Sequence, residues 1–247
     1  MTREIERIEI VEDRTADSRC DEGFLRMRRL VLRNRYADGT MSRTYDYDIV
    51  SRRHVDAVAI VIYEQGGADR VRVALRESLR PPVWLRNEKA LPHGEREHRL
   101  LAEIVAGVLE EEDARGGGVE SRAAAECAEE AGYALDPADV APLGAGAFPT
   151  PGVTDEYVLF RAARTELVRR GHAHGDGSVT EEAGQVVLLP LREAIRRCRS
   201  GGIADMKTEI GLLRLCDLLG YVPALDRFLD ELPEDLQAQA RELPPLL

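Results

Sequence analysis

Strand-like and helix-like stretches interleave along the chain, joined by hairpin turns as well as longer crossovers, and this order predicts an α/β or α+β sandwich. Three observations carry that expectation. AVAIVIYEQ, residues 57–65, is a nearly continuous apolar run, as in a strand buried on both faces. Gly66-Gly67 turns the chain into RVRVALRES at 70–78, whose alternation predicts an antiparallel partner. Near the other end, MKTEIGLLRLCDLLG carries a wide apolar stripe of Ile210, Leu212, Leu213, Leu215, Leu218 and Leu219, a helix with one face to bury.

The remaining elements follow in order. Residues 1–22 are polar and give no pattern that would order them. LRMRRLVLRN (25–34) and RTYDYDIVSRR (43–53) alternate as strands do, joined by the turn signal Ala37-Asp38-Gly39. Pro81-Pro82 and the polar stretch 86–99 predict a long loop, and LLAEIVAG (100–107) a short strand. EEEDARGGG (110–118) is a charged, glycine-rich loop that opens into a helix from about Val119, stopped by Gly132. GAGAFPTPGVTDE (144–156) has turn chemistry throughout. YVLFRAA (157–163) and GQVVLLPL (184–191) read as strands, with RRGHAHGDGSVTEEA (169–183) a flexible excursion between them. LREAIRRCRS is a short helix ending at Gly201-Gly202, Asp205 an N-cap for the striped helix, and Gly220 its stop. A short helix near 224–231 and a last one opened by Pro233 complete the reading, which contains no internal repeat.

Composition excludes several classes. Forty-five acidic against 34 basic residues leave a net charge of −11, which disfavours nucleic-acid partners but not an anionic small molecule neutralised by a divalent cation. No run approaches the roughly 18 continuous apolar residues of a membrane span. MTREIERIEIVEDR is too charged for a secretory signal, so the expectation is a cytoplasmic protein. Cys20, Cys127, Cys198 and Cys216 are scattered without a CxxC pair, as suits buried free thiols rather than a zinc site.

The chemistry concentrates in RAAAECAEEAGY, residues 122–133. Glu126, Glu129 and Glu130 stand at i, i+3 and i+4, on one helical face, where like charges repel by a few tenths of a kcal/mol per pair. A solvated face is the ordinary explanation of such a run. Here the helix follows a strand through a glycine loop, and clustered carboxylates near an exposed backbone carbonyl are what a hard cation such as Mg²⁺ requires.

GVLEEEDARGGGVESRAAAECAEEAGY resembles a Nudix box, G-x5-E-x7-R-E-U-x-E-E-x-G-U with U apolar: Glu126, Cys127, Glu129, Glu130, Gly132 and Tyr133 match its end and Gly107 its opening. LLAEIVAG before it, FPTPGVTDE after it and the C-terminal SGGIADMKTEIGLL resemble the branch of ADP-ribose and nucleotide-sugar pyrophosphatases. The resemblance covers about 56–220. It implies a Nudix-type α/β/α sandwich with a mixed sheet, preceded by a small β region (1–55) used in homodimerisation and followed by a helical tail (221–247) without a counterpart.

What the resemblance implies for function is hydrolysis of the pyrophosphate bond in ADP-ribose or another nucleoside diphosphate sugar, with Mg²⁺ or Mn²⁺. Glu126 and Glu130 would ligate the metal, Glu129 would ligate it or accept through water, and the Ala106 carbonyl is a further candidate ligand. Glu156 takes the place of a loop glutamate suspected of activating water, with Glu129 as another candidate and Asp155 and Glu181-Glu182 as weaker ones. Arg76 and Arg80 would meet phosphates or the terminal ribose, and Glu103 would bind substrate or support those that do. Each of these side chains has a plain alternative as a solvated charge. Phe148 either stacks on a base or packs its loop, His172 and His174 read as solvated loop, and Asp205, Lys207 and Thr208 cap and anchor a helix. Two box positions depart from the pattern: Ala125 stands for the arginine and Gly117 for the first glutamate. Arg122, one turn before Glu126, is placed to reach the same carboxylates. The departures leave open a second class of protein, a binding module that senses such a metabolite and hydrolyses it poorly.

Overall fold

The computed structural model describes residues 23–37, 40–67, 70–92, 96–175 and 184–241. The expectations for residues 1–22, Asp38-Gly39 and Glu181-Glu182 lie outside these. The chain opens with a hairpin, β1 (Leu25–Leu32) against β2 (Tyr45–Arg52), paired antiparallel from Leu25↔Arg52 to Leu32↔Tyr45. It forms a separate two-stranded sheet. Beyond it lies a mixed sheet of seven strands, with β3 (Ala57–Gln65) at its centre.

β3 meets β4 (Val71–Ser78) antiparallel only from Ile62↔Ala74 to Gln65↔Val71, and beyond that point the two splay apart. The gap is filled by the segment expected to be one strand. It is two: β5 (Leu101–Glu103) pairs with β4, and β6 (Val105–Val108) with β3. Ile104, between them, belongs to neither ladder; its amide donates to Thr208 Oγ1 at 2.8 Å. On the far side of β3, β8 (Val158–Arg164) runs parallel, and β7 (Val140–Pro142), which no alternation announced, pairs with β8. β9 (Val186–Pro190) closes the other side of β4.

Both faces of the sheet are covered, as the nearly continuous apolar run of β3 requires. Ala57, Ala59, Val61 and Tyr63 face a core shared with α3 (Leu191–Arg199) and α4 (Met206–Leu219). Val58, Ile60 and Ile62 face α2 (Gly118–Ala131), whose Ala123, Ala124, Cys127 and Ala131 are buried. The result is an α/β/α sandwich. α4 lies so close that a Cβ at Gly211 would stand 3.0 Å from side-chain atoms of both Ile104 and Val61.

Two local expectations are corrected. Pro81–Arg86 is a short helix, α1, rather than loop: proline at its first positions suits a helix start, and Trp84 and Leu79 bury together. Residues 224–231 hold no helix. β10 (Tyr221–Val222) and β11 (Arg227–Phe228) make a small hairpin there, with Asp226 at φ +51° in its turn, a left-handed conformation that ends helices. Asp226 accepts from Tyr221 Oη at 2.7 Å and pairs with Arg192 and Arg196, fastening the hairpin to α3. α5 (Glu234–Arg241) follows Pro233 as expected. Burial pushes the Cys198 and Cys216 thiols up to about 11 and about 12, so both stay protonated near neutrality; the described cysteines are free. Among the described residues no helix is long and apolar enough to cross a membrane.

Candidate functional site

The wedge of β5 and β6 between β4 and β3 brings residues of β4, β6 and α2 around one cleft of about 430 Å³. Glu126, Glu129 and Glu130 reach it from α2, Arg76 from the end of β4, Arg80 from the turn between β4 and α1, and Ala106 and Gly107 from β6. Six of the site residues expected from sequence (Arg76, Arg80, Ala106, Glu126, Glu129, Glu130) thus line a single cavity. They come from positions up to 54 apart in the chain, as the numbering from 76 to 130 shows.

α2 owes its position to glycines at both ends. Gly117 precedes its first turn at φ +110°, and a Cβ there would lie 2.2 Å from Ser121 Oγ, so the residue at the position of the missing glutamate is held to glycine by the backbone. At the other end Gly132, φ +74°, lets the Tyr133 amide turn back to the Cys127 carbonyl at 2.9 Å. A Cβ at Gly132 would stand 2.6 Å from the Gly171 carbonyl oxygen, so this helix-ending position is held to glycine by its neighbour as well as by its backbone. Alanines on the buried side let the helix approach the sheet, and the glutamates occupy the cleft side.

Glu126 is 6% exposed. It lies across Gly107, where a Cβ would fall 2.0 Å from Glu126 Oε1, so the absence of a side chain at 107 makes the space the carboxylate fills. Arg122 Nη2 pairs with Glu126 Oε1, in the place anticipated for it, while the Arg122 Nε is buried with no hydrogen-bond partner among the described residues. Three carboxylates, with Ala106 also in the lining, are the kind of oxygen donors that a hard divalent cation takes. Among the described residues no three carboxylate, imidazole or thiol groups are already gathered as a metal cage, so the carboxylates share a cleft without converging on a point.

The basic part of the lining is braced from behind. Glu103, 3% exposed, accepts from Arg80 Nε at 2.8 Å and Nη2 at 3.2 Å, a two-pronged pair, and from Lys207 Nζ. Burial raises the Glu103 pKa, but the Arg80 hydrogen bond and the Lys207 and Arg80 charges outweigh it and hold the carboxyl below its usual range. Burial likewise opposes the Arg80 charge, and Glu103, with help from Glu130 and Asp205, raises its pKa above the ordinary value. Lys207 also stands 3.0 Å from Asp205 Oδ1. Asp205 Oδ2 caps α4, accepting from Thr208 N at 2.9 Å and Thr208 Oγ1 at 2.5 Å. Asp205 and Thr208 therefore cap and anchor α4 as expected, but Lys207 does more than anchor, since it reaches a carboxylate 104 residues away.

Glu156 is not among the residues lining this cleft. Its Oε1 accepts from Arg52 Nη2 at 2.6 Å, beside a smaller cavity lined by β2 and residues 154–156. The preceding loop is fastened along β2: Val50 N donates to the Val153 carbonyl at 2.9 Å, Ser51 Oγ to Asp155 Oδ2 at 3.1 Å and Tyr47 Oη to the Gly152 carbonyl at 3.2 Å. The loop that carries Glu156 is thus attached to the N-terminal hairpin. Nothing in RTYDYDIVSRR marks Arg52 as that partner. Phe148 packs on Tyr157 with ring centroids 4.8 Å apart, and His172 and His174 lie edge to face at 5.4 Å, outside the cleft lining.

Compared with known proteins, the chain matches no family model and no curated protein.

Proposed function

We propose that this protein is a metal-dependent pyrophosphatase of the Nudix type, acting on ADP-ribose or another nucleoside diphosphate sugar and releasing a nucleoside monophosphate and a sugar phosphate. The observation that carries the reading is the shared cleft: Glu126, Glu129 and Glu130 face the same space as Arg76 and Arg80, so a cation and a diphosphate would be held side by side. Glu126, Glu129, Glu130 and the Ala106 carbonyl would hold Mg²⁺ or Mn²⁺. The ion would supply Lewis-acid polarisation of the phosphoryl oxygens and a more acidic water. Arg76 and Arg80 bind and orient the diphosphate, guanidinium being suited to paired phosphate oxygens. Of the two carboxylates considered for taking a proton from the attacking water, Glu129 lines the cleft and Glu156 does not, so the role falls to Glu129 where it meets the ion through water instead of directly. No covalent intermediate on the protein is required. The hairpin β1–β2, with Leu25, Val31, Tyr45 and Tyr47 exposed, is the element we assign to homodimerisation, and cytoplasmic placement goes with the same reading.

The test is incubation with ADP-ribose, UDP-glucose and NADH, with and without Mg²⁺, products being resolved by chromatography and Glu130→Gln serving as the inert control. Mg²⁺-dependent release of a nucleoside monophosphate from at least one substrate is the expected result. A second reading, a binding protein of the same fold, is favoured by Gly117, whose left-handed backbone excludes the glutamate of an intact box. Tight binding of these nucleotides without turnover across the panel would establish it.

A further inference from the structure

We propose that Lys207 is a positioning residue for anion binding: through the buried Glu103 carboxylate it sets how Arg80 presents its guanidinium to the cleft. The inference rests on the reading of that cleft as a diphosphate site. Lys207 does not line the cleft; Arg80 does, and is about half exposed there, with side-chain exposure 48% against 19% for Lys207 and 4% for Glu103. Glu103 is therefore the most buried of the three, shared between Arg80, which lines the cleft, and Lys207, which does not.

Four charges make this set, and they balance in pairs. Glu103 and Asp205 supply two negative charges, Arg80 and Lys207 two positive ones. Lys207 touches both carboxylates, at Glu103 Oε2 and, at 3.0 Å, Asp205 Oδ1. Arg80 commits its Nε and Nη2 edge to Glu103. If Lys207 were uncharged, the buried Glu103 carboxylate would be answered, among the described residues, by Arg80 alone. Asp205, which also acts on Arg80 electrostatically, would lose its lysine. Arg80 would then be the sole counter-ion to a buried charge, and its attraction for an incoming anion would fall. With Lys207 present, Glu103 is neutralised from behind and serves as a brace that orients Arg80.

A purely mechanical role for Lys207, pinning the start of α4, predicts something different. The same anchorage contains Thr208, which caps α4 and holds the Ile104 amide but makes no contact with Glu103 or Arg80 in the network described above. Loosening α4 through Thr208 should then hurt anion binding as much as removing the lysine.

The experiment measures calorimetric affinity for inorganic pyrophosphate and for ADP in Mg²⁺, using the full chain as wild type, Lys207→Met, Lys207→Gln, Lys207→Arg and Thr208→Val, with a thermal melt on each. Lys207→Met and Lys207→Gln should bind about tenfold more weakly, the scale on which such supporting partners act. Lys207→Arg, which keeps the charge, should stay within about threefold of wild type, and Thr208→Val should do the same despite a lowered melting temperature. Unchanged affinity in both uncharged variants, or an equal loss in Thr208→Val, overturns the role of Lys207 while leaving the diphosphate site standing. Failure of the wild type to bind either anion overturns the reading of the cleft, and the role with it.

Discussion

The acidic and basic parts of the cleft lining are built in opposite ways. Glu126, Glu129 and Glu130 sit on one turn of one helix, and the partner seen on Glu126 is Arg122, four residues earlier in the same helix. Arg80 is held instead by Glu103, 23 residues away, which is shared with Lys207, a further 104 residues on. The first arrangement forms with its helix and crowds like charges where a cation would relieve them. The second exists only once β4, β5 and α4 have come together, and it neutralises its own charges. A change in the acidic part should therefore disturb ligand binding more than folding. In the braced carboxylate behind the basic part the order should reverse.

The largest expected effect follows from that reversal. Glu103→Leu leaves Arg80 and Lys207 without their shared buried partner, and breaking such a set costs about 3 kcal/mol, the lower end of the usual range because Arg80 is half exposed. Urea denaturation at neutral pH measures it. The same carboxylate gives stability a pH dependence of known sign. Its folded pKa lies below the ordinary 4.5, so its contribution is complete above the unfolded value and is lost as pH falls through the folded one. Wild type should weaken along this limb in acid, and Glu103→Leu, already lacking the contribution, should show a shallower limb.

Next comes Thr208→Val, which keeps the shape and removes the hydroxyl. Thr208 is fully buried, and its oxygen accepts the Ile104 amide while donating to Asp205. The orphaned amide at the β5–β6 switch should cost about 2 kcal/mol. A loss well below 1 kcal/mol would mean that another acceptor takes over the amide. The variant would then no longer serve as the mechanical control for Lys207.

These two residues also mark how far the sequence could be read. The sandwich, β3 buried on both faces, the β3–β4 hairpin, α2 with both its glycine ends, and α4 with Asp205 as cap were legible because each is announced by local periodicity or a capping residue. The helix at Pro81–Arg86 and the hairpin at 221–228 were not, since short elements are decided by what they pack against: Leu79 for Trp84, and α3 for Asp226. In the candidate site, the six lining residues were named from motif and order. The contacts of Lys207 with Glu103 and of Arg52 with Glu156 were not foreseen, because no pattern within a helix or strand encodes a partner 104 residues away. Glu156 shows the same limit from the other side: its place in the motif was legible, its attachment to β2 was not.

A smaller effect on folding, but a clear one on binding, is expected from Gly107→Ala. The added Cβ overlaps the outer atoms of the Glu126 side chain, which can swing aside, so the loss of stability should stay near 1 kcal/mol. Swinging aside takes the carboxylate out of the cleft and breaks its pairing with Arg122, and Mn²⁺ affinity should fall about tenfold. Equal metal affinity in the alanine variant would show that Glu126 is not a ligand, and would move the cation toward Glu129 and Glu130.

The least destabilising change should be Arg52→Met. The Arg52–Glu156 pair is partly solvated, with side chains 20% and 32% exposed, and such pairs contribute at most about 1 kcal/mol. Its informative readout is local. Val50, Ser51 and Arg52 of β2 all hold the 153–156 segment, so losing the arginine should speed hydrogen exchange at the Val50 amide, which bonds to Val153, relative to amides within β3. If exchange at Val50 is unchanged, the backbone bond and Ser51 fix that segment without the ion pair, and Glu156 has a rigid mount on the hairpin. If it rises while the β3 amides stay protected, Arg52 is what keeps Glu156 turned toward β2. The comparison then extends to a third kind of attachment, beside the cleft and not in its lining, neither formed within one helix nor braced inside the sandwich, but held to it from outside by a two-stranded sheet that is marginal on its own.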